Sequence, residues 1–229
     1  MPASPELALA RLLQLASPAL PVGAYSYSQG LEAAVEAGVV ADAASAGTWI
    51  GDALAFNLAK FEAPAWCRMH AAWAARDYGE VRSLDNWFCA TRETAELRAE
   101  TLQMGYSLRR LCLELDGFDA ASLEALRTAE EISFPAAFTF ATAQWCIPAR
   151  DALIAYLWSW LENQVMAALK AVPLGQTDGQ RLLLRLGGSL SAIADEALGA
   201  DEASFANFAP GLAIYSSRHE TQYSRLFRS

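Results

Sequence analysis

Leucine and alanine recur at three- and four-residue spacing along almost the whole chain, and no run of alternating β-branched residues exceeds a few positions. That period gathers apolar side chains on one side of a helix. The chain therefore reads as all-α, a bundle of about eight to ten helices. A first helix is predicted over Glu6 to Ala16. Ser17-Pro18 closes it, because proline disfavours a helical residue before it and has no amide to donate. An irregular stretch through Pro21 and Gly23 follows. A helix restarts near Ser28 and ends around Gly38, and the next runs from Asp42, an N-cap residue, to Phe61. Pro64 opens another. Gly79 precedes a long segment, Glu80 to Leu115, in which Leu97, Met104, Leu108, Leu111 and Leu115 line one face. Gly117 ends it. Shorter helices are expected over Ser122 to Glu131 and Pro135 to Cys146. A strong one spans Ala149 to Val172, with Leu153, Leu157, Leu161, Val165 and Leu169 turned inward, and stops at Pro173 and Gly175. Thr177 and Gln180 have capping-box spacing for a helix reaching about Gly199, with Leu182, Leu186, Leu190 and Ile193 on its buried side.

No internal repeat and no linker rich in Gly, Ser or Pro divides the chain. Residues 1–229 thus read as one helical domain ending in a flexible basic tail of about 211–229. A chain of 229 residues can bury a substantial core without disulfides or metals. Hydrophobic residues make up 54% and charged ones 19%, so apolar surface must be hidden inside or covered by another protein, and obligate assembly is expected. The net charge of −9 argues against nucleic acid or an anionic membrane as the main target.

Cys67, Cys89, Cys112 and Cys146 are widely spaced in apolar helical patterns and read as buried reduced thiols. The N-terminus MPASPELALARLL lacks the basic start, apolar stretch and small-residue cleavage site of a secretory signal, so a cytoplasmic location is expected. Ile132 to Ala149, the least charged stretch, is broken by Pro135 and ends at Pro148, and does not read as a membrane span.

Catalytic constellations are absent. There is no phosphate-binding G-x-x-x-x-G-K-[ST] loop, and Gly187-Gly188-Ser189 lies in a helical pattern without the lysine. His70 and His219 are the only histidines and are far apart, with no thiolates at metal-ligand spacing, so neither a metal site nor a cofactor is expected. No serine sits in a G-x-S-x-G elbow. The chain does not read as an enzyme.

Three segments are poorly explained by the needs of a core. The first is LASPALPVGAYSYSQGLE, from Leu15 to Glu32. A structured connection with Ser28 capping a helix would account for it. Alternatively, Tyr25 and Tyr27 are anchors on a rigid loop that includes Ser26, Ser28, Gln29 and Gly30, with Glu32 extending the surface. The second is a polar stripe, Ser159, Glu162 and Asn163, with Lys170, on the helix from Ala149. It is either a solvated outer face or the lining of a wet groove, flanked by Trp158 and Trp160. The third is the end of the chain, YSSRHETQYSRLFRS, in which Arg218, Arg225 and Arg228 oppose Glu220 alone and Tyr215, Tyr223 and Phe227 are interleaved. It is either a frayed terminus or a segment that orders on a partner through arginine and aromatic contacts.

Four stretches in order, LASPALPVGAYSYSQGLE, ATRETAELR from Ala90, SWLENQVMAALKAVPLGQ from Ser159 and RHETQYSRLFRS, closely resemble the urease accessory protein F family over nearly the whole chain. The departures lie in Leu115 to Ser133 and Gly199 to Ala209. The resemblance implies a helical, usually dimeric, non-catalytic maturation factor. Such a factor binds the accessory protein D or H, recruits the nickel-carrying GTPase G and so helps load nickel into apo-urease. It implies that Arg218, His219, Glu220, Gln222, Tyr223 and Arg225 face the D/H partner. It implies that Tyr25 to Gly30, Glu32, Lys170 and the motif ending at Gln176 face the GTPase. The mechanism this implies is scaffolding, in which one GTPase state is bound better than another. An arginine finger from Arg218, Arg225 or Arg228 is the variant of this mechanism. Nickel crossing the complex along Ser159, Glu162 and Asn163 is a further one. The competing classes are an all-helical small-molecule enzyme using Glu162 or Glu32 as acid and base, and a general assembly chaperone without a nickel role.

Overall fold

The computed structural model describes residues 4–229 and bears out the all-α reading: 73% of the chain is helical, with no strand among the described residues. Ser4 accepts from the Leu7 amide (3.3 Å) to start α1, Pro5–Ala16, which stops in extended backbone at Ser17, before Pro18. Helix α2, Leu31–Glu36, starts later than expected. Gln29 (φ 52°) and Gly30 (φ 77°) are both left-handed, so the chain reverses direction before the helix begins, and the Ser28 hydroxyl accepts from the Glu32 amide (3.3 Å) from outside it.

Asp42 and Ser45 form a capping box at the start of α3, Ala43–Asp52. The expected stop at Phe61 is absent. A π-helical stretch, Ala53–Glu62, carries the chain straight into α4, Ala63–Ala75. Pro64 therefore sits inside a continuous rod, where a proline normally deprives the carbonyl four residues earlier of its partner. That carbonyl, of Lys60, instead accepts from the Ala206 amide at 3.0 Å.

The long helix expected from Glu80 to Leu115 is two helices, α5, Tyr78–Ala90, and α6, Ala95–Glu114. Thr94 breaks it by accepting from the Leu97 amide (3.2 Å) in an N-cap, which competes well with helix continuation. Leu97, Met104 and Leu108 are buried as expected, whereas Leu111 and Leu115 are half-buried. Helix α7, Ala120–Thr128, is capped by Asp119, and α8, Phe134–Gln144, by Ser133. Every residue from Phe134 to Ala143 is buried, the mark of a central helix, and α8 packs mainly on α4 and α6.

Helix α9, Ala149–Ala171, buries Leu153, Leu157, Leu161 and Val165. The capping box expected at Thr177 does not form. Helix α10, Gln176–Gly187, starts from Gly175, so Thr177 already lies in its first turn. Gly188 and Ser189 separate it from α11, Leu190–Leu198, where one helix to Gly199 was expected. Helix α12, Pro210–His219, follows.

Cys89 and Cys112 are buried and Cys67 half-buried, but Cys146 is exposed, a correction to the expectation of four buried thiols. It occupies a left-handed position (φ 53°) just past α8, where the turn toward Pro148 lifts its side chain off the core. No helix among the described residues is long and apolar enough to cross a membrane.

Candidate functional site

Glu32, on the first turn of α2, is the organising group. Its Oε1 accepts from the Leu226 amide at 2.7 Å, and its Oε2 from the Phe227 amide at 3.0 Å and faces His219 Nε2 at 3.2 Å. The other ring nitrogen of His219 lies 2.7 Å from Glu96 Oε2 on α6, and Arg225 donates to Glu96 Oε1 at 2.7 Å. Glu220 accepts from the Ala95 amide (2.9 Å) at the N-terminus of α6, where backbone donors are free and the helix dipole favours an anion. Gly30 makes this approach feasible. An added Cβ there would lie 2.8 Å from the Ser216 amide of α12.

The end of the chain is drawn in equally tightly. The Ser229 carbonyl oxygen accepts from the Ser28 amide at 2.7 Å and hydroxyl at 2.5 Å, and its own hydroxyl donates to Glu100 Oε2 at 2.7 Å. Gln29 donates to Glu100 Oε1 (2.8 Å) and accepts from the Trp160 indole (2.7 Å). The Arg228 amide donates to the Ser26 carbonyl at 2.8 Å. Residues 211–229, expected as a flexible tail, are thus placed as α12 and a segment hydrogen-bonded to the first loop, with His219, Phe227 and Ser229 buried. Tyr223 and Leu226 instead point outward, Tyr223 wholly exposed. Gln222 folds back on the Ser224 carbonyl (3.0 Å), and the Arg218 guanidinium lies over the Tyr215 ring.

On the loop, Tyr27 and Ser28 are buried while Tyr25 is exposed. Of the two tyrosines only Tyr25 is thus open to an outside contact; Tyr27 is held inward, with its carbonyl accepting from Asn163 at 3.1 Å. The Lys170 ammonium sits over the rings of Tyr25 (5.9 Å) and Phe227 (5.6 Å), joining loop and tail in one surface through cation–π contacts. Gln176, exposed at the start of α10, takes no part in this hydrogen-bond network.

Ser159, Glu162 and Asn163 are half-buried, so the solvated outer face is corrected. They line a cavity of about 160 Å³ between α1, the first loop, α6 and α9, together with Tyr25, Gln29 and Lys170. Partial burial pushes the Glu162 carboxyl up. The cavity floor holds groups the sequence reading left without a role: Glu62, Arg92, Glu100 and Tyr156. Arg92 donates to Glu62 at 3.1 Å and Tyr156 donates to Glu62 at 2.5 Å. Arg92 and Glu96 stand in the stretch ATRETAELR, and Glu100 is one turn beyond Glu96 on the face of Leu97 and Met104. A carboxylate repeating at four residues along an apolar stripe was the available signal.

Burial pushes the Glu100 carboxyl up to about 7, against the hydrogen bonds from Ser229 and Gln29. The folded state therefore holds this proton more tightly than the unfolded chain. Its contribution is complete below pH 4.5 and is lost as pH rises toward 7. At ~1.4 kcal/mol per pH unit the loss is roughly 3 kcal/mol. Glu100→Gln mimics the protonated group, so it should match the wild type at pH 4.5, exceed it at pH 8 and flatten the pH dependence between them; urea melts across that range check this. His70, by contrast, is a core residue stacked on Trp66, its imidazole pushed down to about 4 by burial.

Among the described residues no group of three or more His, Cys, Asp or Glu side chains is placed to hold a metal ion. The family profile described as UreF matches residues 40–187 of the chain. A protein of Azoarcus sp. (strain BH72) named urease accessory protein UreF is 61% identical, the alignment covering 100% of this chain and 98% of that one. The chain belongs to the UreF family. The UreF of Dechloromonas aromatica is 54% identical over 97% of this chain and 98% of its own. A bifunctional urease accessory protein UreEF of Bordetella bronchiseptica is 50% identical over 96% of this chain, which spans 52% of that longer protein. The chain is accordingly a urease accessory protein, a maturation factor.

Proposed function

We propose that the chain acts as a non-catalytic scaffold. The outward side of the tail binds the D/H accessory protein, and the surface of Tyr25, Lys170 and the first loop recruits the nickel-carrying GTPase G to apo-urease. The observation that carries this is the position of Glu32. It begins the helix that follows the loop and takes its hydrogen bonds from the tail, so a partner that shifts one surface changes the free energy of the other. The fusion in Bordetella bronchiseptica of a UreF-like chain with a second urease accessory function supports work within an accessory complex. Preferential binding of one nucleotide state would couple GTP hydrolysis to nickel release. In this reading the chain works in the cytoplasm as a homodimer, burying apolar residues such as Phe208 that are exposed in the single chain.

Glu32 is a poor candidate for the general base of an enzyme, since both of its oxygens are already occupied. A second reading is favoured by the cavity, whose lining by Ser159, Glu162 and Asn163 suits an internal path for nickel. Glu162→Leu should then block urease activation while the complex still assembles. The scaffold itself is tested by co-purification with both partners. Tyr223→Ala is expected to lose the D/H partner. Lys170→Glu is expected to keep the D/H partner and lose the GTPase. Retention of both partners by both variants would contradict the proposal.

A further inference from the structure

The tail docks on three carboxylates, and the charges there balance only when protons are bound. His219 is fully buried between two of them, with Nδ1 2.7 Å from Glu96 Oε2 and Nε2 3.2 Å from Glu32 Oε2. A neutral imidazole carries one N–H, so it would turn a lone pair toward one of these oxygens; both contacts are donated only by a ring holding both protons. The third carboxylate, Glu100, is met by two neutral donors, the Ser229 hydroxyl at 2.7 Å and the Gln29 amide at 2.8 Å. Arg225 pairs with Glu96 Oε1 at 2.7 Å. The other charged or titratable groups nearby are engaged elsewhere. Arg92 pairs with Glu62, to which Tyr156 also donates, Arg228 faces the Tyr27 hydroxyl, Arg218 lies over Tyr215 and Glu220 accepts from the Ala95 amide. With Glu32, Glu96 and Glu100 ionised and His219 neutral, Arg225 alone would oppose three carboxylates. A proton on His219 and another on Glu100 leave Glu32 and Glu96 balanced by His219 and Arg225. Buried charge without a partner is costly, so the docked tail favours the proton-bound form.

We propose that the tail is a proton-operated strap, which closes on Glu32, Glu96 and Glu100 with protons taken up at His219 and Glu100 and lets go as those protons leave. Burial pushes the Glu100 carboxyl up to about 7, the direction this requires. Undocking returns that carboxyl to water and to its ordinary value of 4.5, so its contribution to docking is complete below pH 4.5 and is lost as pH rises through about 7. Loss of the second His219 proton acts in the same direction. Release uncovers Glu32 and Glu96 and displaces Tyr223 and Leu226, so the outward face of the tail becomes pH-dependent. All the groups belong to one chain, and the device stands apart from the scaffold reading.

Hydrogen exchange on the purified full-length chain tests this. The Leu226 and Phe227 amides are compared with those of α8 at about pH 6 and about pH 8.5, after correction for the intrinsic pH dependence of exchange. The tail amides are expected to lose protection by at least roughly tenfold across that interval, and the α8 amides far less. Glu100→Gln is a permanent stand-in for the neutral acid and should remove roughly a factor of ten from the loss. Ring-nitrogen NMR of His219 in the wild type at about pH 6 serves where that variant fails to fold, and is expected to show both nitrogens protonated. Equal protection of the tail at both pH values, the same loss in α8 as in the tail, an undiminished loss in a folded Glu100→Gln, or a singly protonated ring in the docked wild type would each overturn the proposal.

Discussion

Glu32→Ala is expected to destabilise the protein by about 3–5 kcal/mol and to free the segment beyond His219. The substitution strands three partner groups at once. The amides of Leu226 and Phe227 and the His219 ring all turn to this carboxylate, and the ring is fully buried. Removing one member of a buried charged network costs far more than an exposed pair contributes, because the remaining groups stay desolvated. Hydrogen exchange gives the clearest readout, with the Leu226 and Phe227 amides losing protection while those of α8 keep it. Glu32→Gln should retain part of the effect, since one oxygen remains to accept. Unchanged protection of the tail amides in Glu32→Ala would show that the segment is held by its apolar contacts alone.

Gly105→Ala is expected to cost at least about 3 kcal/mol. An added Cβ would lie 2.0 Å from the Ile132 carbonyl oxygen and 2.6 Å from the Ser133 carbonyl carbon. Both are backbone atoms at the entrance to α8, so no side chain can swing aside and α6 must move off the central helix. Overpacking alone costs about 1–3 kcal/mol where side chains yield; here the loss of packing around Phe134 and Phe138 adds to it. Gly211→Ala is the control. Nothing lies within 4 Å of its added Cβ in α12, and a change of roughly 0.5–1 kcal/mol in favour of folding is expected. Thermal melts of the two variants should therefore move in opposite directions.

The bundle was legible in the sequence because leucine spacing reports a helical face directly, as it does along α9 from Leu153 to Val165. What the period did not show was where helices join or divide. Pro64 reads locally as a start, yet Lys60 finds a partner in Ala206, far away in the chain, and the rod runs through. Thr94 reads as one more polar position inside an amphipathic run, yet it is a cap that turns Arg92 into the interior. The site was legible as two segments, one at each end of the chain. Their union was not, because Glu96 and Glu100 on α6 supply the acceptors, and a pairing between residues more than a hundred positions apart leaves no periodic trace. The charge of the tail points to an outside partner; in the fold Arg225 pairs with Glu96 and the Leu226, Phe227 and Arg228 amides find acceptors within the chain, leaving Tyr223 and Leu226 to face outward.

The central claim is that this chain brings other proteins together so that urease acquires its metal. The direct measurement is the nickel content of urease purified from cells with and without the chain, at equal urease abundance. Urease made without it should be largely free of nickel and inactive, and Tyr223→Ala should give the same result with this chain at normal levels. Urease carrying its full complement of nickel in cells that lack the chain would contradict the account.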